Sequence, residues 1–516
     1  MANILRIIMP EANGADEPRK AENLEEKVSE LAKRRGFFYI SNEIYGGMTG
    51  FYDYGSTGTL MKQNIERLWR NHFLRLNDNF FEIEPSDIMP EPVFVASGHI
   101  QNFIDPSVRC KKEGVYYRAD HLVGSAIKQN VEGKSADELT LLINEHKVRC
   151  PRCGGELGEV KVLNMMLPVK LGAEGNITAY LRPETAQGVY VNFLRQFNIQ
   201  RGKLPMGLAI VGKAFRNEIS PRQLLMRQRE FTQAELQIFF DPSSIDECGS
   251  WDEVRARRLR VLLHGSKSTT EKTCEELHAS AGLPKFYLFH MSKVQDFFLG
   301  EMGIPPERFR LRELSKEEKA FYNKIHFDVE VFLESFGEYK ELGGVHYRTD
   351  HDLKGHQNIS KKSQEIFYEG KRFIPHVLEL STGIDRLFLA LMELSYMGMK
   401  GREWDWFAFP PRVAPFQFAV YPLVGKDGVP EAARKAFETL SPVYKSFYDE
   451  SGSIGRRYAR ADEIGIPFCI TADYDTLSDD SVTIRSRDTM EQKRVRISEL
   501  LREAGSLMDK ASALQE

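Results

Sequence analysis

The stretch Gly207–Phe240, GLAIVGKAFRNEISPRQLLMRQREFTQAELQIFF, decides the fold. It predicts two long strands, about Gly207–Glu218 and Met226–Phe240, around a loop that holds Ser220, Pro221 and Arg222. Pro221 has no N–H to give to a ladder, so it marks the loop. Side chains alternate along a strand. Gly212, Ala214, Arg216 and Glu218 therefore share one face, and Arg227, Arg229, Phe231, Gln233, Glu235 and Gln237 share another. The small residues Gly212 and Ala214 leave a shallow shelf where a flat ligand can approach the backbone. A ribbon with one wet face is a common outcome for antiparallel strands. The order of charges argues for more. Guanidinium groups suited to phosphates, an aromatic face and carboxylates suited to an ammonium lie on one floor. Gly207-x4-Gly212-Lys213 has the outline of a phosphate-binding P-loop, but Ala214 stands where the magnesium-holding Ser or Thr belongs, and the intervening Leu-Ala-Ile-Val is strand. That reading is rejected.

The chain has 516 residues, which predicts two or three domains. Hydrophobic residues at 42% suffice for a sizeable core. A net charge of −4 argues against a non-specific nucleic-acid binder and leaves room for local basic patches. No apolar run approaches the ~20 residues of a membrane span. The first residues, with Glu11, Asp16 and Glu17, are too acidic for a mitochondrial transit peptide and carry no signal-peptide core, so a cytoplasmic location is expected. Six cysteines do not suggest a disulfide scaffold.

Phe215-Arg-Asn-Glu218, a loop, then Arg227-x-Arg229-Glu230-Phe231 resembles motif 2 of the class II aminoacyl-tRNA synthetases, and of the dimeric glycyl-tRNA synthetases in particular. Further strings agree along roughly residues 36–500: Phe51-Tyr-Asp-Tyr-Gly-Ser-Thr-Gly58, Ser97-Gly-His99, Arg118-Ala-Asp-His121, Tyr180-Leu-Arg-Pro-Glu-Thr-Ala-Gln-Gly188, and Glu341 to Leu353. Phe373 to Arg386 resembles motif 3. Two positions depart from the family wording, Ser56 and Leu380, where relatives usually carry Pro. Leu380 should point away from Glu379. Arg456–Pro467 and Thr483–Glu491 resemble the class IIa anticodon-binding domain. Arginine beside tyrosine suits single-stranded RNA, with charge for phosphates and planar faces for splayed bases.

The resemblance implies an α+β class II catalytic domain over 1–410, an antiparallel sheet flanked by helices, with a zinc-knuckle region at 97–160 and an insertion at 241–325. A C-terminal α/β anticodon-binding domain would follow over 411–516. Periodicity and punctuation predict helices at 21–36 and Thr59–Phe73, a strand at Asn79–Pro85, and a helix opened by Pro183 and running to about Phe197. The helix and strand around 59–85 stand where motif 1 builds a homodimer in the family. Trp251–Leu263 reads as a basic helix, most simply a solvated face and more sharply a tRNA acceptor-stem contact. His351 and His356 read as loop histidines. Ser381 or Thr382 is placed to cap the helix after the motif 3 strand. The C-terminal region predicts strands at Phe416–Leu423, Phe468–Thr471 and Val482–Ser486, with helices at Glu431–Asp449 and Thr489–Ala504.

By the same resemblance the enzyme would join glycine to tRNA(Gly) through a glycyl-adenylate, using ATP with Mg2+. Arg216 would hold the α-phosphate, Glu218 read the adenine amino group, Phe231 stack on the ring, and Arg386 clamp the γ-phosphate or cover the other adenine face. Asn217, Met226, Arg227, Gln228, Arg229, Glu230, Glu341, Leu342, Gly383, Ile384 and Asp385 complete the implied ATP site. Glu341 and Glu379 are the implied magnesium carboxylates. Glycine offers no side chain to grip, so the family uses a tight, negative pocket. Glu184, Glu235 and Ser381 match it, with Arg118 for the carboxylate and Phe231, Thr232, Gln233, Ala234, Glu379, Leu380, Thr382 and Gly383 around them. Cys110, Glu113, Cys150 and Cys153 form the implied structural zinc set, with Glu113 where some relatives carry a fourth cysteine. Two other readings compete: a class IIa synthetase for threonine, proline or histidine, and a non-catalytic RNA-binding accessory subunit. The Arg-Pro-Glu-Thr-Ala-Gln-Gly and motif 3 strings disfavour the first. Arg216 and Arg386 disfavour the second, since such descendants usually lose the ATP arginines.

Overall fold

The computed structural model describes residues 21–131, 133–219, 221, 223–316, 318–319 and 323–513. The polar lead-in at 1–20, with Ser220 and Arg222 of the predicted loop, lies outside the described residues. Nine strands make the main sheet: β1 (Phe80–Glu82), β2 (Met206–Phe215), β3 (Glu230–Phe240), β4 (Arg258–Leu262), β5 (Thr270–Thr273), β6 (Phe309–Glu313), β7 (Ile325–Leu333), β8 (Glu338–Thr349) and β9 (His376–Gly383). Their order is β5-β4-β6-β7-β8-β9-β3-β2-β1, antiparallel except for β1–β2 and β4–β6.

Alternation sorts the central strands as the sequence demands. Ala234, Leu236, Ile238 and Phe240 of β3, with Leu378 and Leu380 of β9, enter one core with Trp69 of helix Ser56–Phe73 and Leu387 and Phe388 of helix Ile384–Ser395. Glu235, Gln237, Glu379 and Ser381 are left for the opposite face. Leu380 is 2% exposed in that core, pointing away from Glu379 as expected. Both motif 2 strands are shorter than predicted. β2 ends at Phe215 and β3 begins at Glu230; Arg216 N–H still donates to the Arg229 carbonyl at 2.9 Å, and Glu218 and Arg227 lie beyond it in a loop with a tight turn at Leu224–Met226.

Several local expectations are overturned. Trp251–Leu263 is not a basic helix: only Trp251–Val254 is helical, and β4 follows. Leu259 and Val261 are fully buried between outward-facing Arg258 and Arg260, a period of two, and Val261 pairs with Leu311 of β6. Pro183 does not open a long helix. Two short helices, Ala186–Tyr190 and Phe193–Ile199, take its place. His351 and His356 lie in helix His351–Ser360, with His356 buried. Neither Ser381 nor Thr382 caps the motif 3 helix. Both are strand residues, Gly383 is the N-cap, and Thr382 Oγ1 accepts from Trp69 Nε1 at 3.2 Å. Helix Ser56–Phe73 starts three residues early, and the strand expected at Asn79–Pro85 is limited to β1.

Residues 104–164 carry a separate three-stranded sheet of Ile104–Cys110, Tyr116–Arg118 and Leu157–Asn164, with helices Ala119–Ile127 and Ala136–Glu145. The C-terminal sheet has the order Ser446–Tyr448, Phe418–Pro422, Phe468–Ala472, Ser481–Ser486, Gln492–Arg496. Its helices differ from expectation. Val429–Leu440 stops short and Ser446–Tyr448 becomes a strand. Thr489–Ala504 yields a strand at Gln492–Arg496 before helix Leu500–Ala513. Among the described residues no helix is long and apolar enough to cross a membrane.

Candidate active site

Register builds the floor. Glu235 of β3 stands opposite Ser381 of β9, which stands opposite Gly344 of β8; one row along, Gln237 meets Glu379, which meets His346. Carboxylates gather here around one buried cation. Arg348 of β8 donates from Nη1 to Glu379 Oε2 at 2.8 Å and grips Asp352 with Nε and Nη2 at 3.0 and 3.1 Å. Its Nη2 also lies 3.6 Å from Glu184 Oε1. Asp352 is in the first turn of helix His351–Ser360. Gln187 ties the group together, donating from Nε2 to Glu184 Oε1 at 2.9 Å and to Asp352 Oδ1 at 3.0 Å. Thr185 Oγ1 donates to Glu235 Oε2 at 2.6 Å, and Gln237 Nε2 donates to Glu379 Oε2 at 2.6 Å.

Crowded carboxylates with one guanidinium cannot all ionise equally. Burial, then the negative charges of Glu379 and Glu184, push the Glu235 carboxyl up to about 8. Burial alone would raise Glu184 too, but Arg348, His99 and the hydrogen bonds from His99 and Gln187 hold it well below the usual carboxylate range. Burial raises Glu379 against the pull of Arg348. Burial, then His326 and Arg348, keep His346 well below the ordinary imidazole value. The floor thus holds one firmly ionised carboxylate, Glu184, and one that keeps its proton near neutrality, Glu235. A small ammonium arriving there would find negative charge and acceptors.

Next to this floor a cleft runs under the 216–229 loop. It is lined by Arg216, Glu218, Met226, Arg227, Gln228, Phe231, Thr232, Gln233, Glu341, Leu342, Ser381, Thr382, Gly383, Asp385 and Arg386 among others, so most of the implied ATP residues converge. The guanidinium carbon of Arg216 lies 5.2 Å from the centre of the Phe231 ring and 5.4 Å from that of Phe103, while its Nε donates to the Pro183 carbonyl at 3.1 Å. Arg227 Nε donates to Glu218 Oε2 at 2.5 Å. Arg386 bridges the two halves, donating from Nε to the Met226 carbonyl at 3.1 Å and from Nη1 to the Glu341 carbonyl at 3.0 Å, with Glu341 Oε2 at 3.2 Å.

Others of the implied residues brace the cleft walls or lie outside it. Ala234 and Leu380 face the apolar core, and Ile384 is buried there. Arg229 holds the loop by donating to the Glu218 and Thr49 carbonyls, and Glu230 pairs with Lys213 at 3.1 Å. Asp385 accepts from the Thr232 amide and the Tyr54 hydroxyl, so it braces the cleft wall. Asn217 donates its amide to the Met165 carbonyl at 2.8 Å. Arg118 lines a neighbouring cleft that shares Arg227 with the first, and is anchored on Asp105 at 3.2 Å and Asp120 at 2.9 Å. Glu341 is half exposed at the rim, where a cation could be shared with a polyphosphate, whereas Glu379 is buried with Oε2 already receiving Gln237 and Arg348.

In the 104–164 region, Cys110, Cys150 and Cys153 bring their sulfurs within 4.8 Å of one another, Cys110 and Cys153 at 3.6 Å. Such spacing suits three corners of a tetrahedral thiolate site. A hydrogen bond from the Tyr117 hydroxyl at 3.2 Å draws the Cys150 thiol down to about 6. Glu113 is not part of that cluster. Its carboxylate turns to Arg152 at 3.6 Å, and only its amide approaches Cys110 Sγ, at 3.4 Å. Three of the four implied ligands, Cys110, Cys150 and Cys153, therefore lie together.

Residues missed from sequence are Arg348, Asp352, Thr185, Gln187, Asp105 and His346. For the first pair the Arg348-x3-Asp352 spacing across a strand–helix junction was the available signal. Each of the others also contacts a distant partner, as in Thr185 with Glu235, Gln187 with His356, Asp105 with Arg227 and His346 with Ser381, which local patterns do not reveal.

An antiparallel sheet with an arginine-lined cleft between its motif 2 and motif 3 strands, followed by a separate α/β domain, defines a class II aminoacyl-tRNA synthetase. Residues 170–395 match the family described as tRNA synthetase class II core domain (G, H, P, S and T), and 417–506 match Anticodon binding domain. A prolyl-tRNA synthetase from Cryptosporidium parvum superposes over 96% of this chain and 79% of its own with a TM-score of 0.59 at 13% identity, a likeness of fold. The chain is 40% identical to the glycine–tRNA ligase of Thermococcus kodakarensis, covering 92% of this chain and 97% of that protein, and 39% identical to that of Pyrococcus furiosus, covering 94% and 99%. The chain belongs to the glycine–tRNA ligase family.

Proposed function

We propose that the chain activates glycine with ATP in the cleft beneath the 216–229 loop and passes it to tRNA. As a member of its family the chain is an aminoacyl-tRNA ligase for glycine. The glycine carboxylate attacks the α-phosphorus, the bond to the β-phosphate bridge breaks and pyrophosphate leaves. A ribose hydroxyl at the tRNA 3′ end then attacks the adenylate carbonyl and AMP leaves. Neither step requires a side-chain base, and positioning with fixed charge supplies most of the rate.

The observation that carries the reading is the juxtaposition of two chemistries: Arg216, Phe231 and Arg386 on one cleft, and Glu184, Glu235 and Ser381 on the floor beside it. Arg216 would take the α-phosphate, Phe231 and Arg386 the base or terminal phosphate, and Glu218 the adenine amino group. Glu184 and Glu235 would receive the ammonium, with Ser381 as a wall against larger residues. Glu341 suits Mg2+, which when bound with ATP offsets phosphate charge. Glu379 belongs with the amino-acid floor. Arg118 would reach the carboxylate only by exchanging its present partners. The three cysteines would hold a structural zinc. A homodimer built on residues 56–82 and a cytoplasmic location complete the reading, the latter supported by six unpaired cysteines.

Radiolabelled glycine, ATP and a tRNA(Gly) transcript test it. The expected result is ATP-dependent, acid-precipitable glycyl-tRNA. Absence of charging with active protein, while another amino acid charges its own tRNA, would overturn the substrate assignment.

A further inference from the structure

We propose that His346 is a specificity-determining residue of the amino-acid pocket: its imidazole fills the floor beside Ser381 and fixes that hydroxyl, so that an α-substituent on the substrate has no room. The inference rests on the reading of Ser381 as a wall of the glycine site.

The register leaves a gap that His346 occupies. Gly344 stands between Asp328 and Ser381, where it offers no side chain to the floor. A Cβ placed on Gly344 would lie 2.4 Å from His346 Nε2 and 2.9 Å from its Cε1. The ring of His346 therefore lies directly over Gly344. From there Nε2 reaches Ser381 Oγ at 3.2 Å and Glu379 Oε1 at 3.5 Å. The ring is held from behind. His326 packs against it with ring centres 4.0 Å apart, and His326 in turn meets Asp328 at 3.0 Å. Asn323 Nδ2 lies 3.4 Å from His346 Nδ1 and 3.3 Å from His326 Nδ1. Assigning an amide N–H of Asn323 to Nδ1 makes that nitrogen the acceptor and puts the proton on Nε2, facing Ser381.

Two consequences follow. The ring occupies volume that a methyl or hydroxymethyl group beside Ser381 would need. The serine oxygen accepts from His346, so its own proton and remaining lone pair are directed elsewhere, toward the substrate side. Bulk excludes the larger amino acid, and the hydrogen bond keeps the excluding group still. His346 is a positioning residue, with no role in the bond-making steps.

The test compares His346→Ala, His346→Leu and His346→Gln by ATP–pyrophosphate exchange with glycine, alanine and serine, alongside thermal unfolding. His346→Ala should lower the preference for glycine over alanine by about tenfold, the scale of one methylene in a pocket. His346→Leu keeps bulk without a donor; it should retain exclusion of alanine and raise the glycine KM. His346→Gln restores a donor near Nε2 and should recover most of that KM change. If His346→Ala does not fold, the Leu and Gln pair decides, and equal glycine KM values in both would overturn the proposal. An unchanged glycine-to-alanine ratio in folded His346→Ala would also overturn it. If the wild-type protein activates a different amino acid, the pocket reading falls instead, and the wild-type control separates the two failures.

Discussion

Arg348 and Glu379 form an ion pair of 2.8 Å in which each side chain is at most 5% exposed, and this pair carries the floor of the amino-acid site. The same guanidinium holds Asp352 and approaches Glu184. Removing one partner of such a network leaves the others charged and dry. Arg348→Met should cost about 3–5 kcal/mol in urea unfolding, the usual penalty for breaking a buried pair from one side. A loss below about 1 kcal/mol would mean that solvent or His99 compensates.

Glu235 gives the second prediction. Its carboxyl is pushed up to about 8 in the folded chain against an ordinary 4.5. A raised folded pKa means that the native state holds the proton more tightly than the unfolded one. Its contribution is full below the ordinary value and is lost as pH rises through about 8. Glu235→Gln should flatten the fall in stability expected of the unliganded wild type between about pH 4.5 and 8. Glycine, which brings an ammonium, should favour the ionised form and release protons at neutral pH. Calorimetry in two buffers of different ionisation enthalpy reads that release, and an equal release from Glu235→Gln would contradict the assignment.

The central strands were legible because alternation and burial agreed. Glu235 and Gln237 share one face as the alternation predicts, Ala234, Leu236 and Ile238 take the other into the core, and the register sets Glu235 against Ser381. Arg258-Leu-Arg-Val-Leu262 was misread as helix because Arg and Leu favour helices locally, whereas pairing of Val261 with Leu311 and burial of Leu259 decide in favour of a strand. At the motif 2 loop, the strands end early, so the face assignment of Arg216 and Arg227 did not transfer even though both reach the cleft. Glu184 is legible in the Arg-Pro-Glu-Thr-Ala-Gln-Gly string, whereas its pairing with Arg348, 164 positions away, is not.

Zinc content gives a third prediction. Cys153→Ala should lose the metal measured by elemental analysis of purified protein and lower the melting temperature, since binding of a structural metal is coupled to folding. Glu113→Ala should keep the metal, because Glu113 faces Arg152. Loss of zinc on changing Glu113 would restore the four-ligand set.

Arg216 gives a fourth. Its guanidinium lies near both Phe231 and Phe103 at the cleft where the α-phosphate would sit. Arg216→Ala should depress glycine-dependent ATP–pyrophosphate exchange by about 100- to 1,000-fold, the range for losing one preorganised charge donor. Near-normal exchange in that variant would remove Arg216 from the phosphate site.

The most direct test of the account is ATP–pyrophosphate exchange by the wild-type chain with each amino acid in turn, without tRNA. The account predicts exchange with glycine alone. Exchange with another amino acid would keep the fold and overturn the pocket assigned to Glu184, Glu235 and Ser381. No exchange with any amino acid, from protein that still binds tRNA, would contradict the claim that the cleft is catalytic.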